Sequence, residues 1–557
     1  MTLLGRFFIF VFMLTGQLAS STLSLAAPAE IQNYLRKMIE AEAGNGQFIC
    51  RGQAICAAPI IPLFYERRAF QPCWSRNGQI SANAAELIDA LSNADAEGLR
   101  PADYHLYTIR LLLSKLDRLQ GEGNFLASEE LVDLDLLLTD AFFLYGSHLL
   151  KGRINPETID EQWVSGDSTA DLAAILEEAL NSRGLATALQ RLRPPHDGYR
   201  RMIEALANLR DIASRGGWPV VGTGFSLQKG VRHRRVYALR QRLMLSGDYD
   251  ASVITSENLF GEKLDAAVYR FQKRHGLETD GIVGPKTLAA LNVPVEIRMR
   301  QIKTNMERWR WIPHDLGRRY ILVNIADFTL KVFDNSQKVL ESRVVVGKPH
   351  RSTPLFSDSV EYLVINPYWY LPETIIVEDV APKIISDPDY LARQRIKVFA
   401  MGSNERQELD PAAIDWAGIS KENLPYKLRQ EPGPLNALGR VKIMFPNKFS
   451  IYLHDTPRQE LFQKTARDFS SGCIRVENSV ELASYLLGND PLWSMEHIIA
   501  KMESGQRQGV TLPEQMPIHI LYWTAWGDEE GRMHFRKDVY DRDKLLATAL
   551  DGMVSPP

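Results

Sequence analysis

Cysteine is scarce in this chain, with four in 557 residues. That excludes a disulfide-stapled scaffold, which needs dense pairs along a short chain. Neither sign of charge dominates. Lys and Arg number 65 against 68 Asp and Glu, so nothing supports a dedicated nucleic-acid binder, and no nucleic-acid partner is expected. Past the first 30 residues no apolar run approaches the ~20 residues of a membrane-spanning helix, which excludes a multi-span membrane protein. The 11 histidines never fall at H-x-H or H-E-x-x-H spacing, so a zinc peptidase lacks its ligands; no metal and no cofactor are expected. What remains is a globular composition, 45% hydrophobic and 24% charged, long enough for three to four domains at roughly 150 residues each.

The N-terminus reads as an export signal. Arg6 precedes the apolar run Phe7–Leu14, and Ser24-Leu25-Ala26 fits a small-x-small cleavage site. Residues 1–26 are then a signal peptide, or an uncleaved anchor giving a membrane tether, and the rest acts outside the cytoplasm, in the periplasm. There Cys50 and Cys56 bracket a loop short enough to pair, Cys73 reads as a small buried residue, and Cys473 is isolated and worth attention as a reactive thiol.

Periodicity divides the chain. Residues 30–235 read as a helical scaffold domain, best seen in Leu131, Leu134, Leu138, Phe142 and Tyr145, with Gly152 and Pro156 ending that helix. Residues 236–293 read as three short helices; Leu264, Ala267, Val268 and Phe271 give the middle one an apolar face. The basic run Lys229–Leu245 reads as a solvated helix face. Residues 294–317 form a linker. From 318 to 545 the period is two: Val360–Ile365, Val441–Phe445 and Phe449–His454 are strands of a β-rich domain, and 546–557 is a tail. Residues 366–438 interrupt it with proline-rich, irregular chain, an inserted lid. Trp369 and Tyr370 stand at its entrance, where aromatics either line a groove or anchor the insertion. Overall the fold class is α+β and multidomain.

The chemistry concentrates between Ile451 and Leu487. His454 ends a strand, and Cys473 follows Ser470-Ser471-Gly472. Asn478 and Glu481 resemble a capping pair for the next helix. An imidazole beside a thiol can take its proton and leave a nucleophilic thiolate with an imidazolium. Gly472 admits close backbone approach, and its N–H with that of Cys473 suits an oxyanion. Ser352–Phe356 reads equally as a strand-entry turn or a substrate contact. The S-x-x-K at Ser226–Lys229 lacks a K-T-G partner, which disfavours a serine penicillin-binding enzyme.

Two stretches resemble known families. The order F-Q-x-x-x-G-L-x-x-D-G-x-x-G-x-x-T within 264–292 resembles the peptidoglycan-binding domain of wall enzymes. The order H-D-x(15)-S-S-G-C-I-R resembles the YkuD-type L,D-transpeptidase signature. Ser471 stands where that family usually has His, and Arg475 fills the last position. The module order resembles the large YcbB-like subgroup, which joins a scaffold, a peptidoglycan-binding domain and a catalytic domain with an inserted lid.

The resemblance implies Cys473 as nucleophile and His454 as general base and acid. It implies the Asp455 backbone carbonyl as the group orienting His454, and the Gly472 backbone as part of the oxyanion hole. Tyr452, Ser471, Arg475, Trp369 and Tyr370 become substrate-side residues. The implied reaction is acyl transfer from a tetrapeptide stem, releasing D-Ala, to an amine of another stem, forming diaminopimelate–diaminopimelate cross-links. The alternatives are an L,D-carboxypeptidase and a catalytically silent wall-binding scaffold. Implied partners are peptidoglycan stem peptides and other wall-synthesis enzymes, with the protein monomeric and open to acylation by carbapenems.

Overall fold

A computed structural model describes residues 28–552 apart from 43–47, 77–78, 122–127, 165–168, 183, 251–257, 404 and 489. The expected signal, 1–26, lies outside the described residues. The chain forms two compact units. One comprises Met1–Ser92, Pro101–Leu144 and Ala173–Ala186, the other Asn93–Arg100, Tyr145–Leu172 and Thr187–Pro557.

The first unit is helical. Its main element begins helix α1 (Ser128–Lys151), whose apolar stripe is buried as its period predicts. Asp135 on this helix is buried, and its carboxylate accepts the Tyr65 hydroxyl at 2.6 Å and the Trp74 amide at 2.8 Å. Cys73 is buried beside it, but as a donor as well as a filler: its amide reaches Asp135 Oδ2 at 3.0 Å. Cys50 and Cys56 are both free thiols, and Cys50 Sγ turns to Asp133 instead, 3.4 Å from its carboxylate. The pairing that their spacing allows is not formed.

In the second unit, α2 (Arg235–Leu245), α3 (Glu262–Arg274) and α4 (Pro285–Leu291) enclose one apolar core. Gln272 organises the Asp280-Gly281 turn. Its amide donates to Asp280 Oδ1 at 2.7 Å and Ile282 O at 3.0 Å, and its carbonyl accepts from the Asp280 and Gly281 amides. The basic run is a solvated face only in part, through the exposed Lys229, Arg232 and Arg234. Arg235, Arg240 and Arg242 are buried, with Arg242 stacked 3.8 Å over Trp218 and donating to Leu291 O at 2.7 Å. Aromatic stacking and carbonyl acceptors let the guanidinium stay inside. Nor is 294–317 a linker: Val295–Arg310 is helix α5, with Ile302, Met306 and Trp309 in a core.

The β-rich domain is a closed sheet. Its strands are β1 (Arg319–Asn324), β2 (Thr329–Asp334), β3 (Gln337–Gly347), β4 (Phe356–Ile365), β5 (Val441–Met444), β6 (Leu453–His454), β7 (Asp468–Ser470), β8 (Ile474–Val476) and β9 (Gln508–Leu521). They run in the order β7-β3-β8-β6-β5-β4-β9-β1-β2, and β2 pairs back onto β3, so eight strands close a ring that leaves only β7 outside. Alternate side chains fill it, among them Val323, Ile443, Leu453, Ile474 and Ile520. Two local expectations fail. Of Phe449–His454 only β6 joins the ladder, because Ser450 takes a left-handed φ of 56° and breaks the extension. Helix α6 (Ser479–Leu486) starts without a side-chain cap from Asn478.

The insertion leaves after β4 and returns at β5, two strands paired to each other, with Val441 opposite Ile365. The Asn366 amide closes its neck on Arg440 O at 2.8 Å. Between them it has its own three-stranded sheet, ordered Ile396–Ala400, Tyr426–Gln430, Trp369–Tyr370, and its own core around Ile376, Leu391, Val398 and Leu428. It is therefore a folded subdomain rather than an irregular loop.

Candidate active site

The ladder register assembles the site. β6 lies between β5, antiparallel, and β8, parallel, with Lys442 opposite His454 and His454 opposite Arg475. Cys473 immediately precedes β8, and the Ile474 amide donates to Tyr452 O at 3.1 Å, which sets Cys473 level with Tyr452. Since side chains alternate across a strand, Tyr452, His454, Cys473, Arg475 and Lys442 share one face, while Leu453 and Ile474 fill the barrel. Asn447 fixes the approach to β6: its amide donates to Ile451 O at 2.8 Å and its carbonyl accepts the Ile451 amide at 3.1 Å.

The turn before Cys473 is held from three sides. Gly472 has φ +116°, a region closed to most side chains, so glycine is required here. Thr353 Oγ1 donates to Gly472 O at 2.7 Å while accepting the Gly347 amide at 3.0 Å. Ser470 Oγ donates to Cys473 O at 2.6 Å and accepts the Gly472 amide at 3.2 Å. This last bond corrects one expectation. The Gly472 N–H is spent inside the turn and is not offered to a substrate oxygen.

His454 is buried, and its Nδ1 lies 2.5 Å from the Asp455 carbonyl. A carbonyl only accepts, so Nδ1 donates in this bond. The Asp455 carboxylate has separate work: Oδ2 accepts the Arg440 amide at 2.8 Å, and Oδ1 accepts the Gln459 side chain at 3.3 Å. Gly439, at φ +62°, leaves room for it, since a Cβ there would lie 2.3 Å from Oδ2. The base is thereby tied to the neck of the insertion.

Burial, then the charges of Arg475 and Lys442, push His454 down to about 3. Burial pushes the Cys473 thiol up, against hydrogen bonding from Tyr452 and the pull of Lys442 and Arg475. Both shifts favour the neutral forms of the two groups. Lys442 Nζ lies 3.8 Å over the Tyr452 ring, itself 5.7 Å from the His454 ring. Among the described residues neither Lys442 nor Arg475 forms an ion pair, which leaves two cations beside the thiol open to an anion.

The remaining site residues divide. Trp369 reaches the Tyr452 hydroxyl from the insertion. Tyr370, next along the same strand, faces away; its hydroxyl donates to Glu405 at 3.1 Å and Lys427 Nζ sits 4.3 Å over its ring. It anchors the insertion, as strand alternation requires once Trp369 points inward. Ser471 is exposed and accepts from Arg351 Nη1 at 2.9 Å. The sequence reasoning passed over Lys442, Thr353 and Arg351 as site residues. Alternation along β5 was the available signal for Lys442; Thr353 lay in a stretch left open between turn and substrate contact.

A closed β-barrel with histidine and cysteine on neighbouring strands, an inserted subdomain above them and a three-helix module before them defines a modular protein with a thiol–imidazole site. Family comparison makes this specific. Residues 318–497 match the "L,D-transpeptidase catalytic domain" (YkuD), 232–291 the "Putative peptidoglycan binding domain" and 60–206 the "Scaffold domain". These three segments of the chain are thus similar, in order, to a scaffold domain, a peptidoglycan-binding domain and an L,D-transpeptidase catalytic domain. A Haemophilus influenzae protein named "Putative L,D-transpeptidase" is 35% identical over 250 residues, covering 45% of this chain and 49% of that protein, so the match spans about half of its relative's length. Among solved structures, an L,D-transpeptidase from Stackebrandtia nassauensis shares 13% identity at a TM-score of 0.22, covering 54% of this chain and 96% of that one. One from Xylanimonas cellulosilytica shares 17% at a TM-score of 0.18, covering 54% and 98%.

Proposed function

We propose that this protein is an exported peptidoglycan L,D-transpeptidase working through a Cys473 thioester. The observation carrying this reading is the register that sets Cys473, on a glycine turn, one strand from His454, whose Nδ1 is held by the Asp455 carbonyl. His454 takes the thiol proton as sulfur attacks the carbonyl carbon at the L-centre of the third residue of a tetrapeptide stem. The Cys473 amide supports the oxyanion, a contribution of roughly 3 kcal/mol per donor in other enzymes. The C–N bond to D-Ala breaks, and its nitrogen leaves with the proton held by His454. An amine of a second stem then attacks the thioester, giving up a proton through His454, and the thiol is regenerated. Lys442 and Arg475 supply positive charge for the free carboxylates of the stem, and Trp369 with Tyr452 walls the groove.

Mass spectrometry after incubation with disaccharide-tetrapeptide tests the reading. The expected product is a cross-linked dimer lacking one D-Ala, with a carbapenem adduct on Cys473 in a parallel reaction. Tripeptide with free D-Ala alone would make the protein an L,D-carboxypeptidase. No product and no adduct would make it a wall-binding scaffold.

A further inference from the structure

Arg351 belongs to the short Pro349–Arg351 turn between β3 and β4, two residues before Thr353. Its side chain is only 10% exposed, yet it meets two parts of the fold. Nη1 donates to Ser471 Oγ at 2.9 Å and to Asp379 Oδ2 at 2.5 Å, and Nη2 pairs with Glu378 Oε2 at 2.5 Å. Glu378 takes a second cation, Lys421 Nζ, at 2.7 Å. Ser471 stands one residue before Gly472 on the turn that presents Cys473. Glu378 and Asp379 lie on Ile376–Val380, whose apolar residues Ile376 and Val380 belong to the core of the insertion.

One planar guanidinium therefore holds the catalytic turn and the inserted subdomain in a single hydrogen-bonding fork. A fork fixes directions as well as charge, so the carboxylates set the orientation of the guanidinium, and the guanidinium sets that of Ser471. We propose that Arg351 is a positioning residue that makes acylation of Cys473 depend on the seating of the inserted subdomain. The inference rests on Cys473 being the nucleophile of the proposed function. It also gives Ser471 a physical role: its hydroxyl is the point at which the subdomain reaches the turn. The Asp455 carboxylate accepts the Arg440 amide at the neck of the same subdomain, so both reacting groups are tied to it.

The test compares the full-length protein with Arg351→Met and with the double variant Glu378→Gln/Asp379→Asn, whose substitutions lie outside the turn. Three rates are read: acylation of Cys473 by a carbapenem, its alkylation by iodoacetamide, and amide hydrogen exchange of residues 468–475. Alkylation forms no oxyanion and is indifferent to the turn. Acylation is expected to fall about tenfold to a hundredfold in both variants, the scale of a displaced reacting group. Combining them should add little, because the groups act as a unit. Alkylation should stay near the parent rate, and exchange in 468–475 should quicken. Parent-like acylation in the double variant, losses that multiply, or unchanged exchange would each overturn the proposal. A parent protein that is never acylated at Cys473 would overturn the proposed function instead, while the exchange measurement still reports whether Arg351 orders the turn.

Discussion

At the scale of single residues, the site sets a thiol and an imidazole in a cationic surrounding that favours their neutral forms. Cys473→Ala removes one sulfur from a half-buried position. Acylation should vanish while the melting temperature stays within about 3 °C of the parent, as a change under about 1 kcal/mol implies. Retained turnover would mean another nucleophile. His454 makes a second prediction. Its folded value of about 3 lies below the ordinary 6.5, so in that interval the unfolded chain binds the extra proton. The stability it contributes is complete above about pH 6.5 and is lost as pH falls toward 3. Comparing urea midpoints at pH 7 and pH 4, His454→Gln should lose less on acidification than the parent; equal losses would contradict it. Cys473 and His454 were legible through the resemblance of H-D-x(15)-S-S-G-C-I-R to a known signature, since their spacing alone also suits a buried structural cysteine and an unrelated histidine. Lys442 and Arg351 were not, because their places beside the site follow from pairings between segments far apart in sequence. Gly472 was legible as a necessary glycine, but not the bond that consumes its amide.

At the scale of elements, periodicity was reliable wherever one face met a core. It found α1, α3 and the barrel strands β4 and β5. It failed at Phe449–Ser450, where a left-handed residue interrupts an apparently regular run, and at the basic run, where charge suggested solvent. Charge count says little about burial when an aromatic face and a carbonyl wait inside, as Trp218 and Leu291 do for Arg242. The Asp280-Gly281 turn was visible, but not the side chain that builds it. Gln272→Leu would strand the Asp280 and Gly281 amides, one of them buried, and should cost about 2–3 kcal/mol. Chemical denaturation followed by tryptophan fluorescence would measure this, and a loss under about 0.5 kcal/mol would show that the turn holds itself.

At the scale of the molecule, the domain order was readable from composition and motifs, whereas the joints were not. The supposed linker is a packed helix, and the three-helix module meets the barrel through Arg536. Its Nη1 donates to Arg274 O at 2.7 Å while Nε pairs with Asp327 Oδ1 at 2.6 Å. Arg536→Ala should uncouple the two: calorimetry is expected to resolve a separate transition for the module, where the parent melts them together. A single unchanged transition would assign the coupling to the remaining contacts, among them Arg274 Nη1 to Met533 O.

The neck of the insertion has a wider consequence. Ile365 and Val441 are ladder partners, so the barrel would close with the intervening 366–440 replaced by a tight hairpin. Loop-closure cost grows only with the logarithm of length, so the barrel scarcely registers what is spliced there. The splice point is thus a port: subdomains of different size can be exchanged through it without renegotiating the scaffold that holds the thiol.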